Sequence, residues 1–544
     1  MENKKRIMII GLDGSTFDLI KPWSENGYLP IFKKLLKEGV HGNLRSTIPH
    51  ATIPAWPSFA TGCNPGKHGL YDFFKEKKSS YDLTVEINPS GAINKPTLWK
   101  ILGDYGYNVS VINVPATYPP SRVNGYMITG MLTPPKVKFT YPHEFQNELI
   151  ENIGEYNVFF QALSAKNPEV LLNDLNKTLE TRFKAVEYLW TEKKPDFLMM
   201  VDNGTDRSEH ELWKYLDKQN PLYEKKKVEK YGNPLLKYYK EVDKTLGKIL
   251  KLIDEDTILL LMSDHGQGSL HKFVNLNMFL IKEGYMKIKK NPLSKIKYFF
   301  FKLGFTPKNL YELLRKIGME RYASDRISSK TKLSILNKFL FSTSDIDWSK
   351  TKAFSSGVTG SITINLDGRQ PDGCVSSIKY ESLVNEIVKK LNNLNDNDNN
   401  KKIIKKVYRK DEIYKGAYLD QAPDIVAIPE EYYEFFGMHG FTFNKMLVKT
   451  FGNSGSHREN GIFMAFGRGI KNNYEVKDAN ILDITPTVLY IMGISQPDYM
   501  DGKVISDIFD DDYEFAKVEG KLRNIEIEKL KIKDLVKKLK KDII

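Results

Sequence analysis

The sequence predicts an α/β fold: a mostly parallel sheet with helices on both faces and an inserted helical cap. Three observations carry that prediction. Short apolar runs alternate with helical patterns, as strands do when crossover helices join them. Acidic residues directly follow several of the runs, at the carboxyl ends where open α/β sheets place their ligands. The alternation lapses once, between about Gly284 and Trp348, in a stretch that is basic and aromatic rather than strand-like.

In chain order, Arg6–Ile10 reads as the first strand, followed by an amphipathic segment around Ile31–Leu36. Thr97–Gly103 is helix-like and leads into the run Val109–Val114. The long amphipathic segment Pro168–Tyr188 precedes Asp196–Val201, and Leu235–Ile253 precedes Thr257–Met262. After the insertion the chain turns strand-like again at Ser361–Leu366. The polar tract Asn392–Asn400 reads as a solvated loop. Asp424–Ile428 and Ile462–Phe466 read as buried strands, and Ile484–Met492 as a helix opened by Pro486. The tail from about Glu519 is lysine-rich with apolar residues at helical spacing. The resulting division is a discontinuous catalytic domain over 1–283 and 349–510, a helical cap over 284–348 and a basic helical tail over 511–544.

At 544 residues the chain can bury a large core, and 41% hydrophobic with 27% charged residues is ordinary globular composition. A net charge of +13 points to an anionic partner, although lysine scattered along the chain also serves solubility. Cys63 and Cys374 build no disulfide framework. Ile7–Ile10 is too short for a signal-peptide core, and no run approaches the ~18 apolar residues of a membrane span. The expectation is a cytoplasmic protein, with peripheral membrane contact through the basic insertion and tail as a variant, and no specific nucleic-acid binding.

The chemistry is concentrated in seven residues: Asp13, Thr52, Asp206, His210, Asp264, His265 and His457. They supply the carboxylates, imidazoles and single hydroxyl of a two-metal hydrolase with a covalent intermediate. Asp206 and His210 stand one helical turn apart, so a helix brings both to one metal. Asp264 and His265 close the run Ile258–Met262, and at a strand end successive side chains point opposite ways and can address different metals. Burying that pair costs energy unless it is paired or ligated. Thr52 reads as a strand-end hydroxyl before Ile53-Pro54, and His457 as a loop residue in Gly455-Ser456-His457. His50, His271, His439, Lys67 and Arg207 are secondary candidates for substrate contact, and His68 reads as structural.

Taken in order, the motifs Gly11-Leu12-Asp13-Gly14, Thr52-Ile53-Pro54, His68-Gly69, Asp206-x-x-x-His210, Ser263-Asp264-His265-Gly266 and Gly455-x-His457 resemble the type I phosphodiesterase/nucleotide pyrophosphatase family. That family belongs to the alkaline phosphatase superfamily. A late Asp483-x-x-Pro486-Thr487 and Asp501-Gly502 are similar to its closing segment. The resemblance implies an alkaline-phosphatase-like fold and a small anionic phosphate-ester substrate. It implies that Thr52 is the nucleophile, held with Asp13, Asp264 and His265 at one metal. Asp206, His210 and His457 would hold the second metal; both are expected to be Zn2+, with Mn2+ as the alternative. The resemblance departs at Leu70-Tyr71-Asp72-Phe73-Phe74, where nucleotide pyrophosphatases carry a phosphate-contacting asparagine. Phosphomonoester or phosphonate hydrolysis, phosphotransfer, and a non-catalytic binder of a phosphate ligand are the rival readings. A sulfatase is disfavoured, because Thr52-Ile53-Pro54-Ala55-Trp56 lacks the Cys/Ser-x-Pro-x-Arg pattern.

Overall fold

The computed structural model describes residues 5–73, 81, 90–158, 160, 167–316, 339–436 and 441–511. His439 and the tail from residue 512 lie outside them. Among the described residues the centre is a ten-stranded sheet. Its spatial order is Tyr474–Glu475, Val40–Arg45, Asn460–Phe466, Thr257–Met262, Arg6–Leu12, Phe197–Asp202, Val109–Val114, Gly125–Thr129 and Thr140–Tyr141. Ala479–Asn480 pairs beside Val40–Arg45. The inner strands run parallel, and Asn460–Phe466 enters antiparallel between two of them.

Alternation along the first strand explains why both faces are covered. Ile7 and Ile9 face one core, shared with Trp56, Phe59 and the helix Ile484–Ile491. Met8, Ile10 and Leu12 face the other, shared with the helices Pro168–Tyr188 and Pro234–Leu252. Those two long helices start alike. Asn167 and Asn233 accept hydrogen bonds from Glu169 N and Leu236 N, and the following proline sits where no intrahelical N–H is needed.

Register is what places the site. Leu12 pairs with Asp202 and Gly11 with Met262, so Asp13, Asn203 and Asp264 leave the sheet at one level. Gly11 itself is required by close packing. A Cβ there would lie 2.6 Å from the Trp56 ring and 2.9 Å from Val201, so a larger residue would lift the Trp56 helix off the sheet.

Two four-stranded sheets complete the described molecule. One orders Ile404–Arg409, Ile425–Pro429, Ser361–Ile364 and Ala353–Ser355; its core takes in the helix Ser377–Asn392 together with Phe301 and Phe341. The other is built on Gly266–Val274, which pairs with Tyr432–Phe435, Leu447–Lys449 and Gly455–Arg458. The inserted stretch contributes the helices Pro292–Lys302 and Pro307–Lys316. No described helix is long and apolar enough to cross a membrane.

Two local expectations change. Thr52 does not end a strand; it is the first residue of the helix Thr52–Thr61, which is buried along its whole length and so shows no amphipathic period. The tract Asn392–Asn400 is not wholly solvated. Asp396 is buried there and holds Lys272 Nζ at 2.6 Å and the Tyr433 hydroxyl at 2.7 Å.

Candidate metal centre

Two groups of three potential ligands form at the carboxyl edge of the central sheet. Asp13, Asp264 and His265 make one, and Asp206, His210 and His457 the other; within each, the donor atoms lie within 4.8 Å of one another. The first group is wholly buried. His265 Nε2 stands 3.3 Å from Asp264 Oδ2 and 3.6 Å from Asp13 Oδ1. Thr52 Oγ1 lies 3.4 Å from the same nitrogen. In the second group Asp206 Oδ1 is 3.3 Å from both His210 Nε2 and His457 Nε2. The His265 and His457 rings stack with centroids 3.8 Å apart, so the groups adjoin.

Asp264 and His265 therefore share one group rather than dividing between two. The chain leaves the strand at Met262 and turns through Ser263–His265, so strand alternation no longer governs them. The helix Gly204–Leu212 carries Asp206 and His210 on one face, as their spacing requires. His457 lies on a strand, Gly455–Arg458, which pairs antiparallel with Gly266–Val274 and sets His457 opposite Gln267. That strand is short and polar, which is why it reads as a loop.

Surrounding groups hold these side chains in one orientation. Asp13 Oδ2 accepts from Trp56 Nε1 at 3.2 Å and Asn203 Nδ2 at 2.9 Å, while Asn203 Oδ1 accepts from Asn113. Gly14 N donates to Asp264 Oδ1, and Gln267 Nε2 donates to Asp206 Oδ1 at 2.6 Å. His210 Nδ1 faces the Gly455 carbonyl at 2.8 Å and His265 Nδ1 the Gly266 carbonyl at 3.1 Å. A carbonyl only accepts, so in the neutral rings Nδ1 carries the proton and Nε2 keeps its lone pair for the site.

The remaining carboxylate atoms test whether these residues suit cations. Asp13 Oδ1 and Asp264 Oδ2 are buried without a hydrogen-bond partner among the described residues, and both face His265 Nε2. An unpartnered buried carboxylate oxygen is costly. The spacings of 3.3 and 3.6 Å match the ~3.3 Å edge of a tetrahedron whose bonds to zinc are ~2.0 Å. Electrostatics agree. Burial, then Asp264 and Asp206, push the Asp13 carboxyl up, and burial does the same to Asp264. Burial opposes charge at Asp206 too, but His210 and His457 overcome it and hold its carboxyl low. His210 rises to about 9 because Asp206 outweighs burial.

Several side chains at the site are not conspicuous in the sequence. Trp56, Asn203 and Gln267 act on the candidate ligands directly; of these only Asn203 lies in a stretch marked by neighbouring acids. Glu434 is buried, which draws its carboxyl upward, while the charges of His210 and His457 draw it back. Glu209 is buried under the helix and receives the Tyr239 hydroxyl.

Of the secondary candidates, Lys67, Arg207 and His271 have partners away from the Asp/His groups, whereas His50 neighbours His457. Lys67 Nζ binds Asp501 at 2.6 Å and the Tyr499 carbonyl at 2.8 Å. Arg207 pairs with Glu211 and His271 with Asp217. His68 faces the Ser58 hydroxyl inside the core, and Asp72 accepts from Thr359 Oγ1 at 2.8 Å. His50 is held to about 3 by burial and by the neighbouring His457, Arg458 and Lys405.

The type I phosphodiesterase / nucleotide pyrophosphatase family model matches residues 7–457. Among solved structures, phosphonoacetate hydrolase from Sinorhizobium meliloti 1021 is 14% identical, with a TM-score of 0.52 over 89% of this chain and 94% of that one. Human ectonucleotide pyrophosphatase / phosphodiesterase 5 is 14% identical, with a TM-score of 0.48 over 93% and 100% of the two chains. At these identities the likeness of the hydrolase speaks to the fold. No curated protein sequence matches the chain.

Proposed function

The chain belongs to the type I phosphodiesterase / nucleotide pyrophosphatase family, a family of hydrolytic enzymes, and from that premise we propose a metal-dependent hydrolysis of a phosphodiester or pyrophosphate bond through a phospho-threonine at Thr52. The observation that carries the reading is the convergence of Thr52 Oγ1 on His265, beside two carboxylate oxygens that lack a hydrogen-bond partner among the described residues.

In this reading Asp13, Asp264 and His265 hold one divalent ion with Thr52, and Asp206, His210 and His457 hold another. When bound, the ions supply positive charge to the phosphoryl oxygens and lower the pKa of a nearby hydroxyl. The mixed Asp/His donor set suits Zn2+, with Mn2+ as the alternative. Thr52 opens its helix, so unpaired backbone N–H groups and the helix dipole favour negative charge there. Its hydroxyl gives up its proton as Oγ attacks phosphorus in line, the bond to the leaving oxygen breaks, and that oxygen departs with the electron pair and takes up a proton. Water then attacks phosphorus, the Oγ–phosphorus bond breaks, and a proton from the water returns to Thr52 Oγ. Trp56, Asn203 and Gln267 keep the candidate ligands aimed inward during both steps.

Phosphonate or phosphomonoester hydrolysis is the second reading. It is favoured by the stretch Leu70–Phe74, which lacks the family's phosphate-contacting asparagine and in which Asp72 Oδ2 accepts from Thr359 Oγ1 and Val358 N. A rate panel with Zn2+ or Mn2+ separates the readings. It compares bis-(p-nitrophenyl) phosphate, p-nitrophenyl phosphate, a dinucleotide and phosphonoacetate. A diester preference supports the first reading, and a monoester or phosphonate preference replaces it with the second.

A further inference from the structure

The helix Pro292–Lys302 is turned inside out for a helix facing water. Its buried side chains are Ser294, Lys297 and Phe301. Two of them are polar: Ser294 Oγ donates to Asp345 at 2.7 Å, and Lys297 Nζ meets the same carboxylate at 3.4 Å. Its outward residues are Leu293, Ile296, Phe299 and Phe300, continued by Leu303 and Phe305, each at least half exposed. At 100° per residue, positions 293, 296, 299, 300 and 303 fall within about one third of the helix circumference, a continuous apolar stripe. Scattered apolar residues on a surface need no explanation, but a stripe of this kind does.

Charge says what covers it. From Gly284 through Tyr311 the sequence has seven lysines and no aspartate or glutamate. Lys289, Lys290, Lys295 and Lys302 are exposed and line a shallow groove with Tyr298 and Phe299. Water, or an apolar partner alone, would not call for lysines along one rim. A surface with an acyl interior and anionic headgroups matches both halves of the pattern.

We infer that the Pro292–Lys302 helix and the Leu303–Phe305 turn form a docking surface for an anionic lipid bilayer. The apolar stripe enters the headgroup boundary, and the lysine-lined groove takes lipid phosphates. This surface is separate from the metal centre and stands whether or not the proposed reaction is correct.

The test is co-sedimentation of the full chain with vesicles of phosphatidylcholine alone or with 30 mol% phosphatidylglycerol. The bound fraction should be about fivefold or more greater on anionic vesicles and should fall steeply at 0.5 M salt. Phe299→Ser with Phe300→Ser, and separately Lys290→Glu with Lys295→Glu, should each remove binding while leaving the melting temperature unchanged, since all four side chains are exposed. Equal binding to neutral vesicles, or undiminished binding by either variant, overturns the inference. So does a dimer in gel filtration that both variants dissociate, because a second copy would then cover the face.

Discussion

Trp56→Phe isolates one support of the candidate metal centre. The indole N–H donates to Asp13 Oδ2 at 3.2 Å, and Asn203 donates to the same oxygen at 2.9 Å. Phenylalanine keeps an aromatic ring over Gly11 and against Phe59 but has no donor. Hydrogen bonds to charged groups contribute about 1.5–3 kcal/mol, and loss of a partner to a metal ligand weakens metal binding about 10–100-fold. Because Asn203 still holds Oδ2, the lower end applies: about tenfold, or ~1.4 kcal/mol. The assay is activity regained by chelator-stripped protein across buffered free Zn2+, with bis-(p-nitrophenyl) phosphate as substrate. The midpoint should move about tenfold to higher Zn2+ while the saturated rate stays within about threefold. An unmoved midpoint would refute Asp13 as a ligand oriented by Trp56. A collapsed rate at full saturation would show that Trp56 acts on something other than metal retention.

Three further outcomes are expected. Gly11→Ala should destabilise the chain by about 1–3 kcal/mol through the clash with Trp56, seen in urea unfolding with an unchanged m-value. Stripping the metals with a chelator should abolish turnover and lower the melting temperature, since an ion present at 1,000 times its Kd contributes about 4 kcal/mol; an unchanged melting curve would count against a resident ion. Asp424 concerns acid stability: burial raises its carboxyl, but Arg369 and Lys410 outweigh that and leave it low. A depressed folded pKa means stability present above about pH 4, the unfolded value, and lost as pH falls through the folded value. Asp424→Asn should cost about 3–5 kcal/mol at pH 7 by stranding the cations, and should flatten the loss of stability below pH 4 in urea titrations.

How much the sequence discloses differs from element to element. Thr257–Met262 is legible because all of it is buried and five consecutive apolar residues follow Thr257, and Val109–Val114 because valine and isoleucine dominate it despite the buried Ser110 and Asn113. Pro168–Tyr188 is legible because an Asn-Pro pair announces its start. Gly266–Val274 is not, since Gly-Gln-Gly-Ser has no apolar signal; its partners, 432–435 and 447–458, lie far along the chain and define it only in space. The Asp/His sets can be named in advance because spacing and motif order survive in one dimension. Their orientation cannot, because Trp56, Asn203 and Gln267 meet the ligands only after the strands align. Thr52 at a helix start rather than a strand end is likewise invisible where Pro54 and Pro57 interrupt a short, wholly buried helix.

The central claim is that Thr52 carries the phosphoryl group. The direct measurement is acid quenching during turnover of bis-(p-nitrophenyl) phosphate, followed by mass spectrometry of the peptide containing Thr52, in the wild type and in Thr52→Ala of equal metal content. The account predicts a phosphate-ester adduct on Thr52 in the wild type. It predicts no adduct and a rate lower by at least ~10³-fold in the variant. A variant that turns over at a near-normal rate, or an adduct on another residue, would contradict it.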